Sequence, residues 1–252
     1  MADVSVDVQE YIARVEIHRP PHNFFDDKLI GELADAFEAL DQDRACRVLV
    51  LASEGKSFCA GANFSNDNEI ATGRASLLYQ QAVRLFACKK PVIAEIQGAA
   101  VGGGLGLALV ADFRVASTEA KFAGNFVKLG IHPGFGLTYT LPRLIGVQRA
   151  NLMFLTGRRI SSSVAFDWGL IDLFTLPENL RAETMKLAAE IAEGAPLAVE
   201  STRATLRRGI AEAVKAQTDH EFVEQTWLAR TKDHEEGIRA VSERRRGDFK
   251  GE

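Results

Sequence analysis

The sequence is poor in the features that would commit it to a membrane, a disulfide scaffold or a nucleic acid. No apolar run approaches the ~20 residues needed to span a bilayer. The opening MADVSVDVQE is acidic rather than a basic stretch leading into an apolar one, so neither a spanning helix nor a secretion signal is expected. A cytoplasmic chain with no membrane partner is the expectation. Cysteine is scarce: Cys46, Cys59 and Cys88 are odd in number and lack C-x-x-C spacing. That argues against a disulfide framework or a zinc site and for buried free thiols, so no metal is expected. Positive charge is not in excess either, with 30 Lys and Arg against 34 Asp and Glu and a net charge of -4. Nucleic-acid binders carry a basic stripe, so no nucleic-acid partner is expected.

Two phosphate-binding fingerprints are missing as well, although the chain is rich in glycine around VGGGLGLAL, residues 101–109. A G-x-G-x-x-G frame begun at Gly102 requires glycine at Leu107, and one begun at Gly104 requires it at Leu109; neither is a dinucleotide loop. The stretch Gly55-Lys56-Ser57 has Val50 where a P-loop needs its first glycine, so it is not a Walker motif.

What is present is a chain of 252 residues, 46% hydrophobic and 25% charged, enough for one large domain or one domain with an appendage. Alternation in VSVDVQEYIARVEIHRP predicts a β-hairpin ended by Pro20-Pro21. Helical spacing covers Asp26 to Leu40, with Leu29, Leu33, Phe37 and Leu40 on one face. RVLVLAS (47–53) and PVIAEIQG (91–98) read as buried strands, with a helix from Gly73 to Cys88 between them. After the glycine run come a helix over Leu105 to Ala111, strands at DFRVAS (112–117) and KFAG (121–124), and helical patterns over Leu137 to Ile145 and Gln148 to Leu155. Strands alternating with helices on short connections predict an α/β fold. Beyond Pro196 three amphipathic helical stretches follow without a strand, which places a boundary between 1–195 and a helical region 196–252. There is no internal repeat or low-complexity segment. Arg244-Arg245-Arg246 reads as a solvated helix end, where cations meet the negative dipole.

The segment KSFCAGANFSND (56–67) follows the first buried strand as VGGGLG follows the second, so one sheet delivers two small-residue turns to the same edge. Such turns let backbone N–H groups approach a ligand, and two converging N–H groups stabilise a carbonyl oxygen that gains charge. Tight turns and close helix packing explain the same glycines equally well.

RVLVLASEGKSFCAGAN, KKPVIAEIQGAAVGGGLGLALVADFRVAS, KFAGNFVKLGIHPGFGLTYTLPRLIG, TGRRISSSVAFDWGLID and the tail ERRRGDFK together resemble the crotonase superfamily, the enoyl-CoA hydratase/isomerase family, in the right order over nearly the whole chain. The resemblance implies a crotonase-like spiral of ββα units with a helical C-terminal trimerisation region. The implied assembly is a homotrimer or a dimer of trimers. The implied ligand is an acyl-CoA thioester, with coenzyme A entering as part of the substrate and no permanently bound cofactor. Ala62 and Gly103 match the donors of the family's oxyanion hole. His22, Phe24, Ala60 and Asn63 match segments that pass the CoA moiety, and Phe249 and Lys250 match a C-terminal pair that reaches a CoA site.

The resemblance also exposes an absence. The family's two catalytic glutamates fall at Gly106 and Phe126, and an aspartate used by some isomerases and a dehalogenase falls at Gly134. Enoyl hydration moves protons on and off carbon and activates water, so a standard two-glutamate hydratase is not expected. His132 is a candidate substitute, since an imidazole serves as acid or base at neutral pH; the alternative is a hydrogen bond to a loop carbonyl. Glu95, within an apolar strand, is expected to be paired with Arg or backbone donors, because a buried carboxylate requires a partner or a proton. Asp67 and Glu69 read as solvated, Asn125 as able to orient a water or polar acyl group, and Phe126 as a greasy wall of the acyl pocket. Two functions remain: an enolate-stabilising acyl-CoA enzyme of isomerase, lyase or hydrolase type, or a non-catalytic acyl-CoA-binding pseudoenzyme or subunit.

Overall fold

In the computed structural model, residues 3–62 and 75–252 are described. The N-terminal alternation produces strands β1 (Val4–Gln9) and β2 (Ile12–Ile17), paired antiparallel from Val4 opposite Ile17 to Gln9 opposite Ile12. Ala13, Val15 and Ile17 face the main core. Helix α1 (Asp27–Gln42) starts where the Asp26 carboxylate accepts the Leu29 N–H at 2.8 Å, satisfying one of the donors that a helix start leaves open. Its stripe of Leu29, Leu33, Phe37 and Leu40 is buried.

From there the chain winds through repeated ββα turns, each giving one strand to each of two sheets. Strands β3 (Val48–Ser53) and β4 (Ser57–Cys59) precede α2 (Ala75–Phe86). Strands β5 (Val92–Ile96) and β6 (Ala99–Val101) precede α3 (Gly103–Ala108). Strands β7 (Phe113–Ser117) and β8 (Lys121–Ala123) precede a 3-10 turn at Phe126–Leu129, then α4 (Leu137–Ile145) and α5 (Val147–Thr156). Strand β9 (Arg159–Ser161), α6 (Ser162–Asp167) and β10 (Leu173–Thr175) close the winding. The larger sheet has the order β1-β2-β3-β5-β7-β10 and the smaller β4-β6-β8-β9. All neighbours are parallel except β1 with β2 and β8 with β9. The α/β spiral expected from the sequence is therefore present.

Both faces of the larger sheet are covered. On one, Leu49, Leu51, Val92, Ala94 and Ile96 join the main core. On the other, Val48, Val50, Ile93 and Val115 pack against Leu180, Ala188 and Ala192 of α7 (Leu180–Ala192). Double coverage explains why these strands read as continuous apolar runs. Three helices follow: α8 (Pro196–Leu206), α9 (Ile210–Leu228) and α10 (Lys232–Ser242). Val214 of α9 belongs to the main core cluster, and α9 packs against α2 and α4. Past α10, Arg245 pairs with Glu236 and Glu243.

Two details differ from the sequence expectation. Helix α3 runs Gly103–Ala108 rather than 105–111, because Gly102, at φ +57, turns the chain directly from β6 into the helix. Of the smaller sheet only β8, expected at 121–124, is legible in the sequence; β4, β6 and β9 have three residues each, too short for a period of two to register.

Candidate functional site

Contrary to the sequence expectation, the glycine turns do not leave β3 and β5 directly: the short strands β4 and β6 of the smaller sheet intervene, and their parallel pairing sends the turns after Cys59 and Val101 out from the same edge. Their backbones nearly touch. A β-carbon built on Gly104 would stand 2.0 Å from the Cys59 carbonyl oxygen, so no side chain fits there. Gly61, at φ +91, lies so close that its β-carbon would be 3.3 Å from the Gly103 nitrogen. Among the described residues, neither the Ala62 nor the Gly103 N–H donates to a backbone or side-chain acceptor. Gly103 is the first residue of α3, whose initial N–H groups have no partner within the helix.

The segment from Arg19 to Phe25 is fastened along this edge. Asn23, fully buried, donates through Nδ2 to the carbonyls of Glu54 and Ser57 at 2.8 and 2.7 Å and accepts the Arg19 N–H. Ala60 N–H donates to His22 O and Phe25 N–H to Gly61 O. His22 is exposed and Phe24 half-buried, their rings 5.4 Å apart, beside half-buried Ala60. The structure thus brings together His22, Phe24, Ala60, Ala62 and Gly103. Asn63, Asp67 and Glu69 lie outside the described residues.

Phenylalanines pack against the glycine turns from within. A β-carbon on Gly103 would meet Phe25 Cζ at 2.4 Å, and one on Gly106 would meet Phe135 Cβ at 2.7 Å. Phe25 and Phe135 pack with ring centroids 5.4 Å apart. Phe126 Cζ and Asn125 Oδ1 lie 3.7 and 3.8 Å from the position of a Gly102 β-carbon, which places both beside the glycine turn. Phe25, Phe126 and Phe135 are all buried. Cys59 is buried beneath the turn, and desolvation pushes its thiol up to about 12.

His132 is engaged by its own loop. Its Nδ1 lies 2.7 Å from Pro133 O, and its ring is edge-on to His220 at 6.1 Å. It lines a cavity of about 680 Å³ with Phe154, Trp227 and Phe249, and neither Ala62 nor Gly103 lines it. Phe249 is partly exposed, and Lys250 pairs with Asp248 at 2.8 Å. Glu95 has the partner expected of it: Oε1 accepts from Arg14 Nη1 at 2.8 Å on the α7 side of the sheet, away from the glycine turns. Among the described residues no three His, Cys, Asp or Glu side chains cluster as a metal site, and no helix is long and apolar enough to cross a membrane.

Sequence reasoning missed the groups behind the wall. The Tyr79 hydroxyl, on α2, donates to Gln225 Oε1 at 2.6 Å, and Gln225 Nε2 donates to His132 O at 2.8 Å. Glu221, fully buried on α9, accepts from Gly136 N–H at 2.7 Å, Thr138 N–H at 3.0 Å and Thr138 Oγ1 at 2.5 Å. Desolvation pushes its carboxyl up to about 7 against the pull of those donors. Burial also raises the Tyr79 phenol, with the nearby Glu221 charge adding to the shift. The signal was the spacing of Val214, Thr218, Glu221 and Gln225, the buried face of α9, which only one apolar residue marks.

Comparison with known proteins adds the following. A family model described as enoyl-CoA hydratase/isomerase matches residues 7–252. The chain is 34% identical over 253 residues to a crotonyl-CoA hydratase of Syntrophomonas wolfei, covering 98% of this chain and 97% of the relative. It is 31% identical over 253 residues to a 1,2-epoxyphenylacetyl-CoA isomerase of Escherichia coli, covering 97% of each. A crystal structure of an enoyl-CoA hydratase/isomerase from Pseudoalteromonas atlantica superposes with a TM-score of 0.87 at 27% identity, covering 99% of this chain and 100% of that one.

Proposed function

This chain belongs to the enoyl-CoA hydratase/isomerase family, and on that premise we propose that it stabilises the enolate of an acyl-CoA thioester between the Ala62 and Gly103 N–H groups, as an isomerase or lyase without the two-carboxylate hydration apparatus. The observation that carries this reading is the pair of backbone turns in near contact, with both N–H groups unused among the described residues. Donors fixed before reaction need no reorganisation as charge develops on the thioester oxygen. Helix α3 has only six residues, so the N–H groups themselves supply the stabilisation and the helix dipole adds little.

The wall of Phe25, Phe126 and Phe135 supports the second half of the proposal. These phenylalanines carry no acid or base, which supports a reaction in which the proton moves within the substrate or through a group the substrate carries, with Asn125 beside the glycine turn to orient a polar acyl group. Coenzyme A enters as part of the substrate along His22, Phe24 and Ala60. Exposed Leu155, Trp227 and Phe249 leave apolar surface for self-association, and the family resemblance gives the homotrimer or dimer of trimers as the form it takes.

A panel of enoyl-, 3-oxoacyl- and branched acyl-CoA thioesters, followed by mass spectrometry, tests for turnover; tight binding across the panel without product would replace the enzyme by a binding module. Gly103→Pro tests the hole. Proline is tolerated at the first position of a helix and replaces the N–H by a ring carbon, while Gly103→Ala brings the same β-carbon against Phe25 and keeps the donor. Gly103→Pro should lose on the order of 10²-fold more turnover than Gly103→Ala; equal rates in folded proteins would exclude Gly103 as a donor.

A further inference from the structure

The turn from Gly134 to Thr138 is held from behind and presses forward against α3. Phe135 has φ +63, a conformation uncommon for a bulky residue that persists only where the surroundings impose it. The surroundings are specific. On its N-terminal side Gln225 Nε2 donates to His132 O, and the Tyr79 hydroxyl fills the place of any side chain on Gly134, 2.0 Å from where its β-carbon would be. On its C-terminal side Glu221 takes the Gly136 and Thr138 N–H groups, one carboxylate oxygen to each. Gln217 Nε2 adds a bond of 2.8 Å to Thr138 Oγ1. The result is a phenyl ring laid against Gly106 and Phe25. Gly106 follows Gly103 by three residues, so the two share one face of α3.

We propose that Phe135 determines which acyl groups the site admits, and that Glu221 is the positioning residue that sets it there. The inference rests on the acyl-CoA reading above. A thioester whose oxygen meets the Gly103 N–H extends its acyl carbons along the Gly103–Gly106 face, and the Phe135 ring bounds the width available to them. A smaller side chain at 135 opens that face to a branched or aromatic acyl group. Glu221 acts through the turn. When ionised, as at pH 8 where the comparison is made, Glu221 accepts through both oxygens, a role a carboxylate fulfils and an amide does not, because the NH2 group of glutamine would confront an N–H donor.

The test is the ratio of dissociation constants for butanoyl-CoA and phenylacetyl-CoA, measured by calorimetry at pH 8, so that binding rather than turnover is read. In Phe135→Ala the ratio should shift toward phenylacetyl-CoA by roughly tenfold or more. Phe135→Leu, which keeps more of the packing, should shift it in the same direction. Glu221→Gln, with Phe135 intact, should move it the same way by roughly three- to thirtyfold, a change that simple loss of stability would not produce. An unchanged ratio in folded Phe135→Leu overturns the role of Phe135. An unchanged ratio in Glu221→Gln with a lowered melting temperature makes Glu221 a structural cap only and overturns its role. Failure of the unsubstituted protein to bind either thioester would instead overturn the acyl-CoA reading and this inference with it.

Discussion

Phe135 fills the space into which a side chain at position 106 would project: its Cβ, Cγ and Cδ1 lie 2.7 to 2.9 Å from the place of a Gly106 β-carbon. Glycine at 106 and phenylalanine at 135 are therefore one packing solution. Gly106→Ala alone should destabilise the protein by about 1–3 kcal/mol through overpacking. In a Phe135→Gly background, which removes all three atoms at a position whose φ of +63 glycine adopts readily, the same change should cost clearly less, giving a coupling of about 0.5–3 kcal/mol in a urea-denaturation cycle. Additive effects would show that the two positions do not share space.

The Arg14–Glu95 pair yields a second prediction. Both side chains are almost buried, and among the described residues Glu95 Oε2 has no partner. Arg14→Met leaves a buried carboxylate without its cation and should cost about 3–5 kcal/mol, whereas replacing both residues by apolar ones of similar volume should recover most of the loss. Equilibrium unfolding of the single and double variants checks this. A single variant as stable as the parent would contradict it.

Glu221 should leave a signature in the pH dependence of stability. Its folded-state carboxyl is raised from 4.5 to about 7, so the folded state binds the proton more tightly than the unfolded chain. The corresponding stability is fully present below about pH 4.5 and is lost as pH rises through about 7. Between pH 5 and pH 8 the stability of the parent should therefore fall by about 2–3 kcal/mol relative to Glu221→Gln. A difference that stays flat over this window would mean that Glu221 is already ionised in the folded protein at pH 5.

His132 is expected to matter little to turnover. Its Nδ1 is engaged by the Pro133 carbonyl, and the cavity it lines includes neither Ala62 nor Gly103. His132→Gln should keep activity within about threefold, far from the 10²- to 10⁴-fold typical of a lost general acid or base. A loss in that larger range, with the fold intact by circular dichroism, would return His132 to the chemistry.

Most of the spiral could be read from the chain because its strands are buried on both faces and its early helices are amphipathic: Val48 to Ala52 and Leu29 to Leu40 announce themselves. The two glycine turns were legible from their own small residues, although the three-residue strands β4 and β6 of the smaller sheet deliver them, not the longer strands β3 and β5 that the sequence marks. The wall and its support were not. Phe25 and Phe135 carry no polar signal, and Phe135 sits among glycines that suggest only a loop. Glu221 and Gln225 occupy the buried side of a helix whose inward face is mostly polar, so hydrophobic periodicity assigns them to solvent. Their role depends on a partner turn distant in sequence.

That distance bears on the order in which the molecule is made. Glu221 lies 85 residues beyond the Gly136 N–H it receives, so during synthesis the turn carrying Phe135 leaves the ribosome long before its cap exists. The ββα winding can form from contacts already emerged, yet this wall of the candidate pocket gains its anchor only when α9 docks. A chain stopped before residue 221 would keep the sequence of both glycine turns and lack the piece that fixes what lies beside them.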